Sequence, residues 1–170
     1  MDKSQEFWEK NLSSVKELQG EDLIAAVKAF LDGDEEQKAL VFEGLQNRIY
    51  EAASAFETEK ILKMDLFQEG SLALWEFLSA YDRDPESFES EALAAVREAM
   101  QKYAAEEEES FEAGEALKAK LNVIDEICVR FAEKNDREPT AAEIAELMQT
   151  DEDEIRYLMR IALNALEKEQ

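Results

Sequence analysis

The chain has 170 residues, and 45% of them are hydrophobic, so it can form a hydrophobic core and is not globally disordered. Its 42 acidic and 19 basic residues give a net charge of −23. Autonomous binding to DNA, RNA or anionic membranes is therefore disfavoured, because such binding depends on Lys and Arg. A highly soluble surface would explain the same charge equally well.

The residue types that most often carry catalysis and metal binding are scarce. The chain has no histidine, and Cys128 is its only cysteine, so neither an intramolecular disulfide nor a zinc-type cysteine cluster can form. No Gly-rich phosphate loop or nucleophile motif accompanies the acidic residues. We therefore expect no enzyme activity, no metal and no cofactor. The N-terminus lacks the apolar run of a signal peptide, which predicts a cytoplasmic protein.

The spacing of apolar residues predicts an all-α protein. A first helix is expected over about residues 4–18 and ends before Gly20. The next apolar face runs from Leu23 to Leu31 and is followed by a break in which Asp34 is the expected N-cap. A long helix should then carry the apolar positions from Leu40 to Phe56.

Another helix is predicted from near Asp65 to about Tyr81. Gly70 lies inside it and costs roughly 1 kcal/mol relative to Ala unless close packing offsets that cost. Pro85 ends the following turn because proline cannot continue a helix. A further helix is predicted over about residues 87–105.

Four consecutive glutamates, Glu106 to Glu109, interrupt the apolar pattern. Such a run is typical of a solvated helix end or a linker. We therefore expect an acidic linker over residues 106–116. It would separate a helical domain of residues 21–105, preceded by an N-terminal helix within 1–20, from a second domain of residues 117–170.

The second domain is predicted to contain three helices. The first has apolar residues at helical spacing from Leu117 to Phe131, and the loop Asn135–Pro139 follows it. Thr140 and Glu143 form the sequence pattern of a capping box, which satisfies the free amides at a helix start. A similar signal at Thr150 predicts the start of the last helix.

Two segments together resemble the sigma factors of bacterial RNA polymerase. Asp65–Leu74 reads DLFQEGSLAL and is similar to the family's D-L-x-Q-E-G-N-x-G-L, on the helix that docks onto the clamp helices of core polymerase. Arg137–Glu146 reads REPTAAEIAE and resembles the family's R-E-P-T-x-E-E-I-A, in the small three-helix domain that follows. The resemblance covers about residues 21–167. It implies a sigma-like core-binding and minus-ten-type domain followed by the three-helix domain, without the family's C-terminal helix-turn-helix domain.

The resemblance implies that the first segment contacts a protein partner, either core RNA polymerase or an anti-sigma protein. A solvated helix face is the alternative for its polar side chains, and packing into the core is the alternative for its tryptophan. The partner-binding candidates are Asp65, Gln68, Glu69, Ser71 and Trp75.

The helix after Tyr81 departs from the family pattern. The family has F-S-T-Y-A-x-W-W-I-R-Q-A-I, whose aromatic and basic residues capture flipped promoter bases, but Phe88–Met100 reads FESEALAAVREAM. Glu91 replaces an aromatic residue, and Ala94 and Ala95 replace the tryptophan pair. Since stacking of one base on an aromatic ring contributes about 1–3 kcal/mol, we expect this helix not to melt promoters.

Some residues of the chain could still contribute to DNA binding within a complex. Phe88 and Arg97 keep the family pattern, and the basic residues of the last helix belong to a domain that touches DNA in the family. For the two arginines of the last helix, Arg156 and Arg160, intrahelical ion pairs are the alternative. The candidates for residual DNA binding are Phe88, Arg97, Lys102, Arg156 and Arg160.

The leading hypothesis is a sigma-like transcription regulator that acts through protein contacts and has lost autonomous promoter opening. Its acidic face could also mimic nucleic acid on a basic partner. The first alternative is a divergent sigma factor that binds promoter DNA only within holoenzyme. The second is an acidic helical adaptor with an unrelated partner. No membrane partner is expected.

Overall fold

The computed structural model describes residues 10–12 and 14–168, with side chains to residue 164. Over this part of the chain there are seven helices of at least eight residues and no strand, which confirms the all-α prediction. The helices are α1 Gly20–Leu31, α2 Glu35–Gly44, α3 Gln46–Ala53, α4 Lys63–Ala80, α5 Phe88–Asn135, α6 Ala141–Met148 and α7 Glu152–Lys168. None of the described helices is both long and apolar enough to cross a bilayer.

The chain divides into two compact units, residues 1–109 and residues 110–170. The core of the first unit is built around α4 and the start of α5. On α5 the buried residues recur every fourth position, and they are Phe88, Ala92, Val96 and Met100. This spacing places one continuous stripe of the helix in the core.

Gly70 is where α4 comes closest to its neighbours. A Cβ atom at this position would meet the side chain of Met100 and lie 2.8 Å from Cγ2 of Ile49 and 3.2 Å from Cγ1 of Val96. Only a residue without a side chain allows this approach of α4 to α3 and α5. The close packing that would offset the poor helix propensity of Gly70 is therefore present.

The N-terminal part of the first unit differs from the prediction. Residues 1–9 and 13 of the predicted helix 4–18 lie outside the described residues, residues 10–12 are helical, and residues 14–19 are not. Leu18 instead donates its backbone N–H to the carbonyl of Gly44 at 3.0 Å and packs against it, since a Cβ on Gly44 would lie 2.6 Å from Cγ of Leu18. The prediction of a single long helix over Leu40–Phe56 is also wrong. The helix is interrupted at Leu45, next to the contact between Leu18 and Gly44.

The predicted interruption between the helix that ends at Leu31 and the helix capped by Asp34 is confirmed. The backbone N–H of Glu36 donates to the side chain of Asp34 at 3.1 Å, so Asp34 is the N-cap of α2. Asp and Asn are favoured at this position because their oxygens accept from the free amides of the first turn.

The second unit contains the C-terminal part of α5 together with α6 and α7. Its core is small and consists of Ile124, Ile144, Ala145, Ile155 and Leu158. The capping box at the start of α6 is confirmed. The backbone N–H of Glu143 donates to the Thr140 hydroxyl, and the carboxylate of Glu143 accepts from the backbone N–H of Thr140.

The start of α7 lies one residue beyond the predicted signal. Asp151 rather than Thr150 accepts the backbone N–H of Asp153, at 2.7 Å, and the helix begins at Glu152. The hydroxyl of Thr150 donates to Glu154 at 2.6 Å.

Residues 106–116 are helical, so the predicted break between two helices in this segment is wrong. They lie within α5, which runs without interruption from Phe88 to Asn135. Glu and Ala have high helix propensity, and repulsion between exposed like charges costs only about 0.2–0.5 kcal/mol per pair. The boundary between the two compact units follows Glu109. The division into residues 1–20, 21–105, 106–116 and 117–170 stays a prediction.

Candidate functional site

The exposed face of α4 is formed by residues three or four positions apart. Leu66, Leu74 and Leu78 lie fully buried on the opposite side. Leu72 is 53% exposed although it lies in a packed helix. The outward stripe begins at the half-buried Asp65 and continues through the exposed residues Gln68, Leu72, Glu76 and Ser79.

Trp75 lies at one edge of this stripe, against α2. Its ring meets that of Phe42 edge to face with centroids 5.4 Å apart, and the Nζ of Lys38 lies 4.6 Å from its ring centroid. The side chain is nevertheless 41% exposed. Trp75 is therefore fixed by its neighbours while part of its ring faces solvent, which suits an interface anchor.

Ser71 connects α4 to α3. Its hydroxyl donates to Oε1 of Gln46 at 3.0 Å, and Nε2 of Gln46 donates to the carbonyl of Phe42 at 3.0 Å. Ser71 therefore already has an internal partner, and its first role in the fold is to hold α4 beside α3.

The other edge of the stripe is acidic and faces α5. The pKa of the Tyr103 hydroxyl is raised by burial and by the negative charges of Asp65, Glu107 and Glu69. Asp65 and Glu69 are one helical turn apart, and both lie close enough to act on the same α5 side chain. The structure therefore groups these two predicted residues, while Gln68 lies between them and the Trp75 edge.

The first turns of α5 carry the residues that resemble a promoter-melting helix. Phe88 is fully buried, with its ring centroid 4.9 Å from that of Tyr81 and 5.9 Å from that of Phe77. The prediction that Phe88 could contact DNA is wrong for this structure, because its ring is enclosed in the aromatic core. Glu91 is paired with Arg83 at 2.8 Å, and Ala94 is exposed.

The basic candidates on α5 are exposed. Lys102 lies 3.7 Å from Glu106, one turn further along the helix. Arg97 lines a surface groove together with Arg48, whose guanidinium donates to Glu17 at 2.9 Å and also to Glu89. Acidic side chains thus surround the few bases of this region.

The two arginines of α7 have local contacts. Arg156 donates to Glu152 at 3.0 and 2.6 Å, the intrahelical ion pair that was the alternative to DNA binding. The guanidinium of Arg160 lies 5.6 Å from the ring centroid of Tyr157. Their proposed contact with DNA stays a prediction.

Sequence reasoning missed Leu72 as part of the exposed stripe. The signal was present, because Leu72 lies four residues after Gln68 and three before Trp75, which places all three on one side of a helix. The residue type gave the opposite indication, because an isolated leucine is normally taken as core. Within the described chain, no group of three or more Cys, Asp or Glu side chains could hold a metal ion.

Comparisons with known proteins agree with the sequence resemblance of Asp65–Leu74 and Arg137–Glu146. Residues 119–166 match the family model described as Sigma-70 region 3. The chain is 25% identical to RNA polymerase sigma factor SigA of a Bacillus species over 154 residues, and 23% identical to SigA of Clostridium acetobutylicum over the same length. Each match covers 90% of this chain and 41% of the relative.

These matches confirm the resemblance to bacterial sigma factors. The chain is sigma-factor-like over nine tenths of its length, and it spans about two fifths of the length of the curated relatives it matches.

Proposed function

We propose that this chain is a sigma-factor-like transcription regulator that binds core RNA polymerase through the exposed face of α4 and does not itself melt promoter DNA. The observation that carries the proposal is the exposure of Leu72 and Trp75 on the segment that resembles the polymerase-docking helix of sigma factors. A regulator of this kind would act in the cytoplasm and would need neither a cofactor nor catalytic residues.

The chemistry of the α4 face suits a protein partner. Leu72 and the solvent-facing part of Trp75 offer apolar surface, and Gln68 offers a hydrogen-bonding amide between them and the acidic edge. Aromatic anchors with a polar rim are typical of energetically important interface positions. The acidic edge formed by Asp65 and Glu69 favours a partner surface rich in Arg or Lys.

The first turns of α5 lack what single-strand capture needs. The surface has Ala94 and Ala95 where the family has stacking tryptophans, and the Glu91 carboxylate forms an ion pair with Arg83. Residues 85–116 contain ten Glu but only Arg97 and Lys102 as bases, so phosphates would be repelled. Promoter opening by this helix would therefore lack both stacking and backbone attraction.

Binding to purified core RNA polymerase tests the proposal. Leu72→Ser and Trp75→Ala should each weaken binding at least about ten-fold, as expected when an interface anchor is removed. Val129→Ser is the matched control, because Val129 has the same exposed fraction as Leu72, 53%, but lies on the C-terminal part of α5. The control should bind within about two-fold of the unmodified chain.

Two results would contradict the proposal. The first is no binding of the unmodified chain to core polymerase at micromolar concentration. The second is equal binding by the Leu72→Ser variant and the unmodified chain. If core polymerase fails but a purified anti-sigma protein binds in a Leu72-dependent manner, the partner would be the anti-sigma protein instead.

The alternative function is a divergent sigma factor that directs polymerase to promoters within holoenzyme. It is favoured by the two relatives, both named RNA polymerase sigma factor, and by the exposure of Arg97. Transcription from a promoter library by core polymerase plus this chain separates the two functions. Sequence-specific start sites would establish the alternative and overturn our preference.

A restored melting surface provides the positive control for that experiment. The triple variant E91Y/A94W/A95W replaces the departing residues with the family's aromatic types. In complex with core polymerase it should bind a single-stranded minus-ten-type oligonucleotide at least about ten-fold more tightly than the unmodified chain, because each stacked base contributes about 1–3 kcal/mol.

The third hypothesis, an acidic adaptor or nucleic-acid mimic with an unrelated partner, predicts no polymerase binding by any variant.

A further inference from the structure

A groove between the C-terminal part of α5 and α6 lies within the second unit and plays no part in the proposed function. On α5 its lining residues recur at positions i, i+3, i+4 and i+7, and on α6 at i, i+3 and i+4. Two adjacent helices therefore each present a stripe to one open channel. The α5 stripe from Ile127 to Lys134 is about 10 Å long, or two helical turns.

The floor of the groove is apolar and open. Ile127 and Phe131 are half-buried, and Leu147 is 59% exposed although it belongs to a helix that packs on the core. Arg137 contacts two of the lining residues, since its guanidinium lies 4.8 Å from the ring centroid of Phe131 and donates to Glu143 at 2.9 and 2.5 Å. The floor is thus a preformed apolar surface of limited length.

The two rims of the groove carry opposite charge. The α5 rim is basic, with Arg130 and Lys134 one turn apart. The α6 rim is acidic, with Glu146 and with Glu143, which is already paired with Arg137. Arg130 also reaches Glu126 at 3.2 Å, an exposed pair that a ligand can replace with little loss. A ligand that fits must therefore be apolar along its centre, acidic on the flank facing α5 and basic on the flank facing α6.

We propose that this groove binds an amphipathic helix of a partner protein, with apolar residues at i, i+3 or i+4 and i+7, acidic residues on one flank and basic residues on the other. A helix fits because a channel between two helices accepts a third by inserting its apolar stripe, and no sheet edge exists in the described part of the chain. DNA fits poorly, because Glu143 and Glu146 would face its phosphates across an apolar floor.

Two labelled helical peptides of about 18 residues test the proposal with the full chain at about 0.15 M salt. Both carry the same leucine stripe; the mixed peptide has one acidic and one basic flank, and the all-basic peptide has two basic flanks. The net charge of −23 alone would favour the all-basic peptide. The groove predicts instead that the mixed peptide binds at least about five-fold more tightly, because the basic α5 rim repels a second basic flank.

Three variants locate the binding. Leu147→Ser should weaken binding of the mixed peptide at least about five-fold. Val129→Ser should leave its affinity unchanged, because Val129 is exposed on α5 but does not line the groove. The R130E/K134E variant makes both rims acidic and should reverse the preference, so that the all-basic peptide binds more tightly. Circular dichroism of each variant confirms that the fold is kept.

Several outcomes would overturn the proposal. These are stronger binding of the all-basic peptide by the unmodified chain, insensitivity of the mixed peptide to Leu147→Ser, or competition between the mixed peptide and a duplex DNA probe. A chain that self-associates in sedimentation experiments and becomes monomeric on Leu147→Ser would assign the groove to a second copy instead. Because the groove does not involve α4, failure here leaves polymerase binding untouched.

Discussion

The two units of this chain are held together in different ways. Within the described residues, the first unit has nineteen buried hydrophobic residues, including the aromatic cluster of Tyr81 and Phe88, and the second has five. In the second unit, polar contacts such as the capping box at Thr140 and the ion pairs Arg137–Glu143 and Lys120–Glu154 accompany this small core. A small core needs such local contacts, because it buries too little apolar surface to define its helices by packing alone.

The difference explains where the resemblance to sigma factors is clear and where it fades. The family model matches residues 119–166, where the recognisable motif is a loop and a helix cap whose residue types are fixed by local hydrogen bonds. In the first unit the buried stripe of α5 is enough to keep the helix in place. Its exposed residues, such as Glu91 and Ala94, can therefore differ from the family without loss of the frame.

The sharpest test of this comparison is the core of the first unit. Phe88→Ala should lower the free energy of unfolding by about 3–5 kcal/mol, because it opens a cavity among packed aromatic rings. Urea denaturation followed by tryptophan fluorescence measures it, since Trp75 lies in the same unit. Leu40→Ala is the control in the same unit, because Leu40 is 41% exposed on α2 and its truncation should cost less than about 1 kcal/mol. Equal costs would mean that the aromatic core does not define the first unit.

The next effect separates two glycines of the same chain. Gly70→Ala should destabilise the protein by about 1–2 kcal/mol, since overpacking against Ile49 outweighs the roughly 1 kcal/mol gained in helix propensity. Gly114→Ala should stabilise it by about 0.5–1 kcal/mol, because a Cβ there meets nothing within 4 Å. Opposite signs in urea denaturation are the expected result. A stabilising Gly70→Ala would show that the contact between α4 and α3 is loose.

These elements also show which parts of the fold can be predicted from sequence. The N-cap at Asp34 and the capping box at Thr140 follow from signals within four residues, and the structure confirms them. The turn predicted to end at Pro85 instead begins there, since the backbone N–H of Ser87 donates to the carbonyl of Asp84 at 3.1 Å. The break at Leu45 could not be predicted, because it adjoins the contact of Leu18 with Gly44, residues 26 positions apart in the chain. The helix through residues 106–116 was missed because a run of like charge was given more weight than helix propensity.

The candidate site shows the same limit. The exposed Trp75 lies on the segment that the sequence indicated, but Leu72 was assigned no role, because exposure of one leucine depends on what packs beside it. Phe88 keeps the family pattern in sequence, and only the three-dimensional structure shows that its ring is enclosed by Tyr81 and Phe77. Residue types are visible in sequence, whereas burial is a property of the whole fold.

A helix cap tests the second unit. Thr140→Ala removes the hydroxyl that accepts from the backbone N–H of Glu143 and should cost about 0.5–2 kcal/mol. The loss should appear in unfolding followed by circular dichroism, since no tryptophan lies in residues 110–170. Asp34→Ala is the matched control in the first unit, and its loss should appear in tryptophan fluorescence. If both variants shift the circular dichroism and the fluorescence transitions equally, the two units unfold together. The comparison between the units would then describe their structure and not their separate stabilities.

The smallest expected effect is the pH dependence of the same cap. The pKa of the Glu143 carboxylate is lowered from 4.5 to about 2, first by its hydrogen bond from Arg137 and then by that from the backbone of Thr140. A carboxylate with a lowered pKa in the folded state stabilises the protein fully above its unfolded pKa, and this contribution is lost as the pH falls towards about 2. The E143Q variant should therefore be less stable than the unmodified chain at neutral pH.

The difference in melting temperature between the unmodified chain and the E143Q variant should then disappear between about pH 5 and about pH 2, as measured by circular dichroism. Arg137→Gln is the control, because it removes the main hydrogen-bond donor to Glu143. In the Arg137→Gln background, E143Q should therefore lower the stability at neutral pH by less than it does in the unmodified chain. A gap that persists at about pH 2 would mean that Glu143 acts through its shape or packing and not through its charge. The second unit would then depend less on polar contacts than its small core suggests, and the contrast with the first unit would weaken.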